Sequence, residues 1–232
     1  MKRILVLLMV AVLLSGCAFW KHEKEKTAEE LATDGMARMG KKQYSQAIQS
    51  FERLRDWYPF SQFAILAELK LGDAYYATRR WEEAVFAYEQ FESLHPNNEA
   101  AAYAVYRIGM CWFEQVRPPD RDQTATRKAL DTFHRLAAQY PDSLYAVKAA
   151  EHARVCLENL ARHEITVARF YFKGKKYKAA EDRLKSLLVD FPDMGVHQEA
   201  LKFLAQVQER MGPEEAGDPV SPPPDEGTGP GE

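Results

Sequence analysis

The segment "YSQAIQSFERLRDWYP", residues 44–59, holds one alanine, Ala47, in a fixed frame of larger residues. Tyr44 stands three positions before it, Phe51 four after, Leu54 seven after and Pro59 twelve after. The same frame returns around Ala84, Ala129 and Ala180. Phe51 is answered by Tyr88, Phe133 and Leu184, and Leu54 by Phe91, Leu136 and Leu187. Pro59 is answered by Pro96, Pro141 and Pro192. Tyr44 is answered by Trp81 and Tyr177, with Thr126 as the exception, and Gly35 and Gly72 lie twelve residues before the first two alanines. An amphipathic helix explains the three-and-four spacing alone, but not four copies that all end in proline.

Small residues let paired helices approach, large ones fill the space between them, and proline stops the second helix. The period and its residues resemble the tetratricopeptide repeat. The expected fold is all-α: a right-handed superhelical solenoid of about four to five repeats, spanning residues 27–211. The third copy departs from the frame. Gly109 takes the small position of its first helix, yet Ala129 follows 20 residues later rather than twelve. The surplus is "QVRPPDRDQTATRK", 115–128, a loop whose Pro118-Pro119 cannot continue a helix and whose Asp122 or Thr124 would cap the next one. From Leu144 to Phe172 no breaker occurs, which predicts one long helix or two nearly continuous ones. A last helix covers about Val196–Arg210. Residues 212–232 carry six prolines, five glycines and six acidic groups, a composition that cannot bury enough apolar surface to order itself.

At the other end, eleven apolar residues from Ile4 to Leu14 follow Lys2 and Arg3. A spanning helix needs roughly 20 apolar residues, so the run reads as a secretory signal over residues 1–16. Leu14-Ser15-Gly16-Cys17 resembles the bacterial lipobox, which implies acylation at Cys17. Ala18 stands where aspartate often marks inner-membrane retention, which points to the outer membrane. Thr27 and Glu30 form a capping-box pattern for the first helix. The tether, residues 17–26, reaches at most roughly 30 Å when fully extended. Cys111 and Cys156 both fall within helical apolar patterns and read as buried free thiols rather than a disulfide. With 31 Lys+Arg against 34 Asp+Glu, the chain lacks the basic footprint of a nucleic-acid binder.

In such solenoids the first helix of each pair lines a concave face. The groove-facing positions hold Glu29, Ala32, Met36 and Met39 in repeat one and Leu66, Leu69, Asp73 and Tyr76 in repeat two. Repeat three places Tyr103, Tyr106, Met110 and Phe113 there, with Lys70 and Arg107 nearby. Met and aromatic side chains suit extended apolar or aromatic peptide segments. Equally, they fill the space between neighbouring helices, and both readings stand at this point. The six histidines are scattered, with no HExxH, CxxC, GxSxG or phosphate-binding glycine loop, so no catalytic residue, metal site or cofactor is expected. "KGKKYK", 173–178, reads as a polar turn between helices or as a contact for lipid headgroups or an acidic partner.

Lipobox, short tether and repeats together resemble the BamD (ComL-like) family of outer-membrane assembly lipoproteins. The resemblance runs through "RLRDWYPFSQFA" (53–64), "PDRDQTATRKALDTFHRLAAQYPDSLYA" (119–146) and "ARFYFKGKKYKAAEDRLKSLLVDFPD" (168–193). It implies a non-enzymatic, lipid-anchored protein on the periplasmic face of the outer membrane, within the machinery that assembles β-barrels. It further implies that N-terminal repeats receive unfolded outer-membrane precursors, with Tyr58, Pro59 and Phe60 in that region. The C-terminal repeats would bind the POTRA domains of a BamA-like barrel protein, with Arg183 facing it, and other Bam lipoproteins are further candidate partners. The acidic tail departs from the family's helical end, which leaves a fifth repeat half present. Two rivals are a pilotin-like tetratricopeptide lipoprotein assisting secretin or pilus assembly and a periplasmic cell-wall enzyme. The first would lack the inserted DRD loop, and the second needs a catalytic cleft.

Overall fold

The computed structural model describes residues 25–211, and all regular secondary structure among them is helical. The signal segment, Cys17, most of the tether and the acidic tail lie outside the described residues. Nine helices follow in order among the described residues: α1 (Ala28–Gly40), α2 (Tyr44–Trp57), α3 (Ala64–Ala77), α4 (Trp81–Leu94), α5 (Ala101–Phe113), α6 (Thr124–Gln139), α7 (Leu144–Lys173), α8 (Tyr177–Asp190) and α9 (His197–Arg210). No helix among them is long and apolar enough to cross a membrane. The chain divides into two compact units, the first ending at Ala74 and the second beginning at Tyr75.

The repeat frame is the core. Ala47, Ala84, Ala129 and Ala180 are all 0% exposed. The aromatic or leucine positions after them, from Phe51 to Leu187, are at most 1% exposed. Each alanine therefore marks the line where its helix meets a neighbour, as the spacing predicts.

In the first unit, α1 packs on α2 through Leu31, Ala32 and Gly35 against Ala47, Ile48, Phe51 and Leu54. A Cβ on Gly35 would fall 2.4 Å from the Phe51 ring, so the small position is a steric requirement. The capping box forms: the Glu30 amide donates to the Thr27 hydroxyl at 3.2 Å, and the Thr27 amide donates to the Glu30 carboxylate at 2.8 Å. Asp34 gathers Ser50 at 2.6 Å, Arg38 at 2.9 Å and Lys26 at 3.2 Å on one carboxylate oxygen. Burial pushes the pKa of Asp34 up, but these hydrogen bonds outweigh it and hold the group at about 2. The Tyr58 hydroxyl donates to the Lys26 carbonyl at 3.0 Å. Lys26 is thus tied down by both its backbone and its side chain.

In the second unit, one buried cluster joins α5, α6 and the first half of α7 through Val105, Phe133, Leu136 and Cys156. Another joins the second half of α7 to α8 and α9 through Ile165, Leu184, Leu187 and Val207. Helix α7 runs 30 residues without interruption, about 45 Å at 1.5 Å per residue. Gly109 repeats the relation of Gly35, with a Cβ there meeting the Phe133 ring at 2.4 Å. Cys111 and Cys156 are free and buried, and burial pushes their thiols up to about 12 and about 11.

Three hairpin turns share one backbone device. Lys42, Arg79 and Lys175 adopt φ of 58°, 60° and 59°, each five residues before a repeat alanine. The next amide reaches back five residues in each case: Gln43 to the Arg38 carbonyl at 2.9 Å, Arg80 to Tyr75 at 3.0 Å and Lys176 to Tyr171 at 2.9 Å. This left-handed closure satisfies carbonyls at the end of the preceding helix. The segment 173–178 is such a turn.

The third hairpin replaces that turn with the inserted loop, and Gln123 pins it. Gln123 is 3% exposed; its amide nitrogen donates to the carbonyls of Pro118 and Arg121, both at 2.9 Å. Its amide oxygen accepts from Thr126 and Asn159, both at 2.7 Å. Asn159 also donates to the Arg117 carbonyl at 2.9 Å, and His163 Nδ1 donates to the Pro119 carbonyl at 2.6 Å. Thr126 breaks the aromatic rule because this position must bond Gln123. Thr124 is the first residue of α6 rather than its cap. Asp122 instead accepts from the Thr124 amide at 3.2 Å and from its hydroxyl at 2.9 Å.

Candidate functional site

Of the groove residues expected from the repeat frame, Tyr76, Tyr103, Tyr106, Met110 and Phe113 belong to the second unit and form a connected layer. Four lie on α5, three or four residues apart, which puts them on one face of the helix. Tyr76 comes from the last turn of α3. Its ring meets Trp81 edge-on at 5.0 Å.

Arg107 is the centre of this layer. Its guanidinium carbon lies 3.5 Å from the Tyr76 ring centroid and 5.8 Å from that of Tyr103. Its Nε donates to the Tyr88 hydroxyl at 3.2 Å. Burial works against the cation, yet Tyr88, Tyr103 and Tyr76 hold its pKa above the ordinary arginine value. Aromatic rings thus face this cation where a carboxylate normally would. Burial also pushes the Tyr76 hydroxyl up to about 12, with Arg107 opposing and Glu114 adding to the shift. That hydroxyl donates to Glu114 at 3.2 Å.

The layer continues towards α7. Tyr103 and Tyr106 meet Tyr145 at 5.4 and 5.5 Å, and the Tyr106 hydroxyl lies 3.2 Å from His152 Nε2. His152 sits 4.7 Å from Phe113 and stacks on Phe133 at 5.6 Å. Next to the layer opens a cleft of about 690 Å³, between Trp81 at the start of α4, the end of α5 and the inserted loop. Trp112, Glu114, Arg117, Asp122 and Thr124 complete its wall. The Lys128 ammonium stands 4.2 Å over the Trp112 ring at its margin. Indole faces with both charge signs at the rim suit an extended peptide with alternating aromatic and polar side chains.

The remaining groove positions, Met36, Met39, Leu69 and Asp73, fall in the first unit. Met36 is 41% exposed, Met39 and Leu69 are half-buried, and Asp73 takes an ion pair from Lys70 at 2.7 Å. Tyr58 is half-buried on Lys26, while Pro59 is exposed and Phe60 is 100% exposed. Arg183 already has a partner within the fold: its Nη1 reaches the buried Glu164 carboxylate at 3.3 Å. Beside it, Glu181 accepts from Lys185 at 2.8 Å, Gln208 at 2.9 Å and Lys178 at 3.1 Å. These hydrogen bonds overcome the burial that would raise it and hold its pKa at about 2.

The frame identified the α5 face but missed Trp81, Trp112, Tyr88, Tyr145 and His152. Those residues come from second helices, from α7 and from the rim, outside the positions that the repeat assigns to a groove. Among the described residues no group of His, Cys, Asp and Glu is placed to hold a metal ion.

Residues 24–221 match the YfiO family, described as outer membrane lipoprotein. A protein of Caulobacter vibrioides named outer membrane protein assembly factor BamD is 31% identical over 78% of this chain; the chain spans 61% of that protein's length. A protein of the same name from Neisseria meningitidis serogroup A is 27% identical over 91% of this chain and 86% of its own. A solved tetratricopeptide repeat protein from Parabacteroides merdae aligns over 79% of this chain and 74% of its own, with a TM-score of 0.42 and 16% identity.

Proposed function

Since the chain belongs to the YfiO family of outer membrane lipoproteins, which includes BamD assembly factors, we propose that it is a non-enzymatic component of the β-barrel assembly machinery. It hangs from the periplasmic face of the outer membrane through an acylated Cys17. Its repeats receive unfolded barrel precursors and hand them to a BamA-like barrel protein, whose POTRA domains they also bind.

The observation that carries the precursor reading is Arg107 among Tyr76, Tyr88 and Tyr103, beside the Trp81–Trp112 cleft. Barrel strands alternate aromatic or apolar with polar side chains. An extended segment of that pattern would lay its rings on the tyrosines and tryptophans and its polar side chains on Arg107, Glu114 and Arg117. The role of Met36, Met39, Leu69, Asp73 and the Tyr58–Pro59–Phe60 turn in the same task rests on the repeat frame and the family resemblance. So does the assignment of Arg183 to the POTRA contact.

Affinity purification from detergent-solubilised membranes, combined with crosslinking from position 112, tests the proposal. The expected result is a co-purifying barrel protein with POTRA domains and adducts to barrel precursors. Absence of that barrel protein from the purified material refutes the assembly role.

A further inference from the structure

The four repeat prolines are each followed by one more turn residue, and one of the four is unlike the rest. Asn97, Asp142 and Asp193 follow Pro96, Pro141 and Pro192, and short polar residues suit such turns because they bond their own backbone. Phe60 follows Pro59 and is 100% exposed, so it buries nothing and gives the turn nothing that Asn or Asp would not. Trp57, at the end of α2, is 53% exposed, with the Arg53 guanidinium 5.6 Å from its ring centroid. Two large aromatic side chains thus stand out from one turn of the first unit.

Their position relative to the chain's path is fixed. Tyr58 lies between them in sequence, and its hydroxyl holds the Lys26 carbonyl at 3.0 Å. The Lys26 ammonium is held in turn by Asp34 at 3.2 Å. The described chain therefore begins beside the Trp57–Phe60 turn. Nine residues, 18–26, follow Cys17 up to the held Lys26, a reach of at most roughly 30 Å.

We infer that Trp57 and Phe60 dock on the lipid surface that carries the anchor, entering the boundary between headgroups and acyl chains. This rests on the lipoprotein reading of Cys17. Trp is at home at that boundary, and the exposed Arg53 beside it suits anionic headgroups. The acyl chains hold the protein, and the aromatic pair orients it. Because the short tether keeps the local concentration of the turn near the bilayer high, a contact of modest affinity suffices to orient the protein.

The test has two arms. In the first, the acylated full chain is reconstituted in phosphatidylethanolamine–phosphatidylglycerol vesicles with benzoylphenylalanine at position 60, or at the exposed controls Phe86 and Val189. Lipid adducts at position 60 should exceed those at the controls by at least about fivefold, as burial of an aromatic ring against full exposure implies. Equal yields at all three positions, or adducts at 60 that form only with an added precursor peptide, overturn the inference. In the second arm, the chain from residue 17 carrying Cys17→Ser is sedimented with the same vesicles, with and without Phe60→Ser. Phe60→Ser should cut co-sedimentation by at least about fivefold at unchanged helicity; unchanged co-sedimentation overturns the inference. This arm does not need the acyl group, so a chain that is never acylated in the cell refutes the anchor while leaving the docking contact to be judged separately.

Discussion

The Arg107 guanidinium stands over the Tyr76 ring, its central carbon 3.5 Å from the ring centroid, and spends its Nε on the Tyr88 hydroxyl. A planar, delocalised cation stacks on a ring in a way that an ammonium cannot. Arg107→Lys should therefore cost about 1–2 kcal/mol. That loss should appear as a fall in thermal midpoint of about 2–6 °C for a domain of this size. Tyr76→Ala with Tyr106→Ala should weaken crosslinking to a precursor's C-terminal strand while the circular dichroism spectrum keeps its helical form. Undiminished crosslinking would return these tyrosines to a purely structural role.

Acid should loosen the fold at two named points. Asp34 and Glu181 have native pKa values near 2, below their ordinary values of 3.8 and 4.5. Their stabilisation is fully present above the ordinary pKa and is lost as pH falls towards the native value. At pH 7 Asp34→Asn and Glu181→Gln should each cost about 2 kcal/mol. Each cost should shrink from about pH 4.5 downwards and be nearly gone at pH 2. Urea titrations of each variant against the parent at pH 7, 4 and 2.5 measure this. A difference independent of pH would mean that shape, and not charge, explains the loss.

Lys42 and Lys175 hold left-handed backbone that side chains with a Cβ resist, and both are exposed. Glycine relieves a strain of about 1–2 kcal/mol and gives back part of it as chain entropy. Lys42→Gly and Lys175→Gly should each stabilise the fold by up to about 1 kcal/mol, seen as a raised midpoint in urea. Destabilisation would show that the lysine side chains contribute more than their backbone costs.

Arg183→Glu puts two carboxylates side by side, because Glu164 is its present partner at 3.3 Å. The single variant should lose both stability and POTRA binding. The double variant Arg183→Gln with Glu164→Gln leaves no charge unpaired, so it should recover most of the stability. If Arg183 meets the partner directly, the double variant still binds poorly in a pull-down at physiological salt. Recovery of binding along with stability would make Arg183 a positioning residue for α8.

The repeat core was legible because its alanines, aromatics and prolines return at fixed intervals, and packing between helices demands small against large at those intervals. The α5 face was legible for the same reason. Arg107 could be placed near the groove, but its three tyrosines come from different helices, so no single periodicity brings them together. The inserted loop was visible as surplus length. Its lock on Gln123 and Asn159 was not, since those residues lie 36 positions apart. The left-handed turns at Lys42, Arg79 and Lys175 were hidden because their residue types do not advertise positive φ. Thr126 looked like a lapse in the pattern and is instead the residue that ties the pattern to the loop.

Helix α7 serves both buried clusters of the second unit, Ala149, Ala153 and Cys156 in one and Ala161, Ile165 and Ala168 in the other. A break in it would cost hydrogen bonds and expose both clusters together. No helix end or turn falls between the two clusters. The residues that meet α8 and α9 and those that meet Tyr103 and Tyr106 stand on one continuous helix. Helix geometry, and not a linker, sets the spacing between the aromatic layer and the C-terminal cluster.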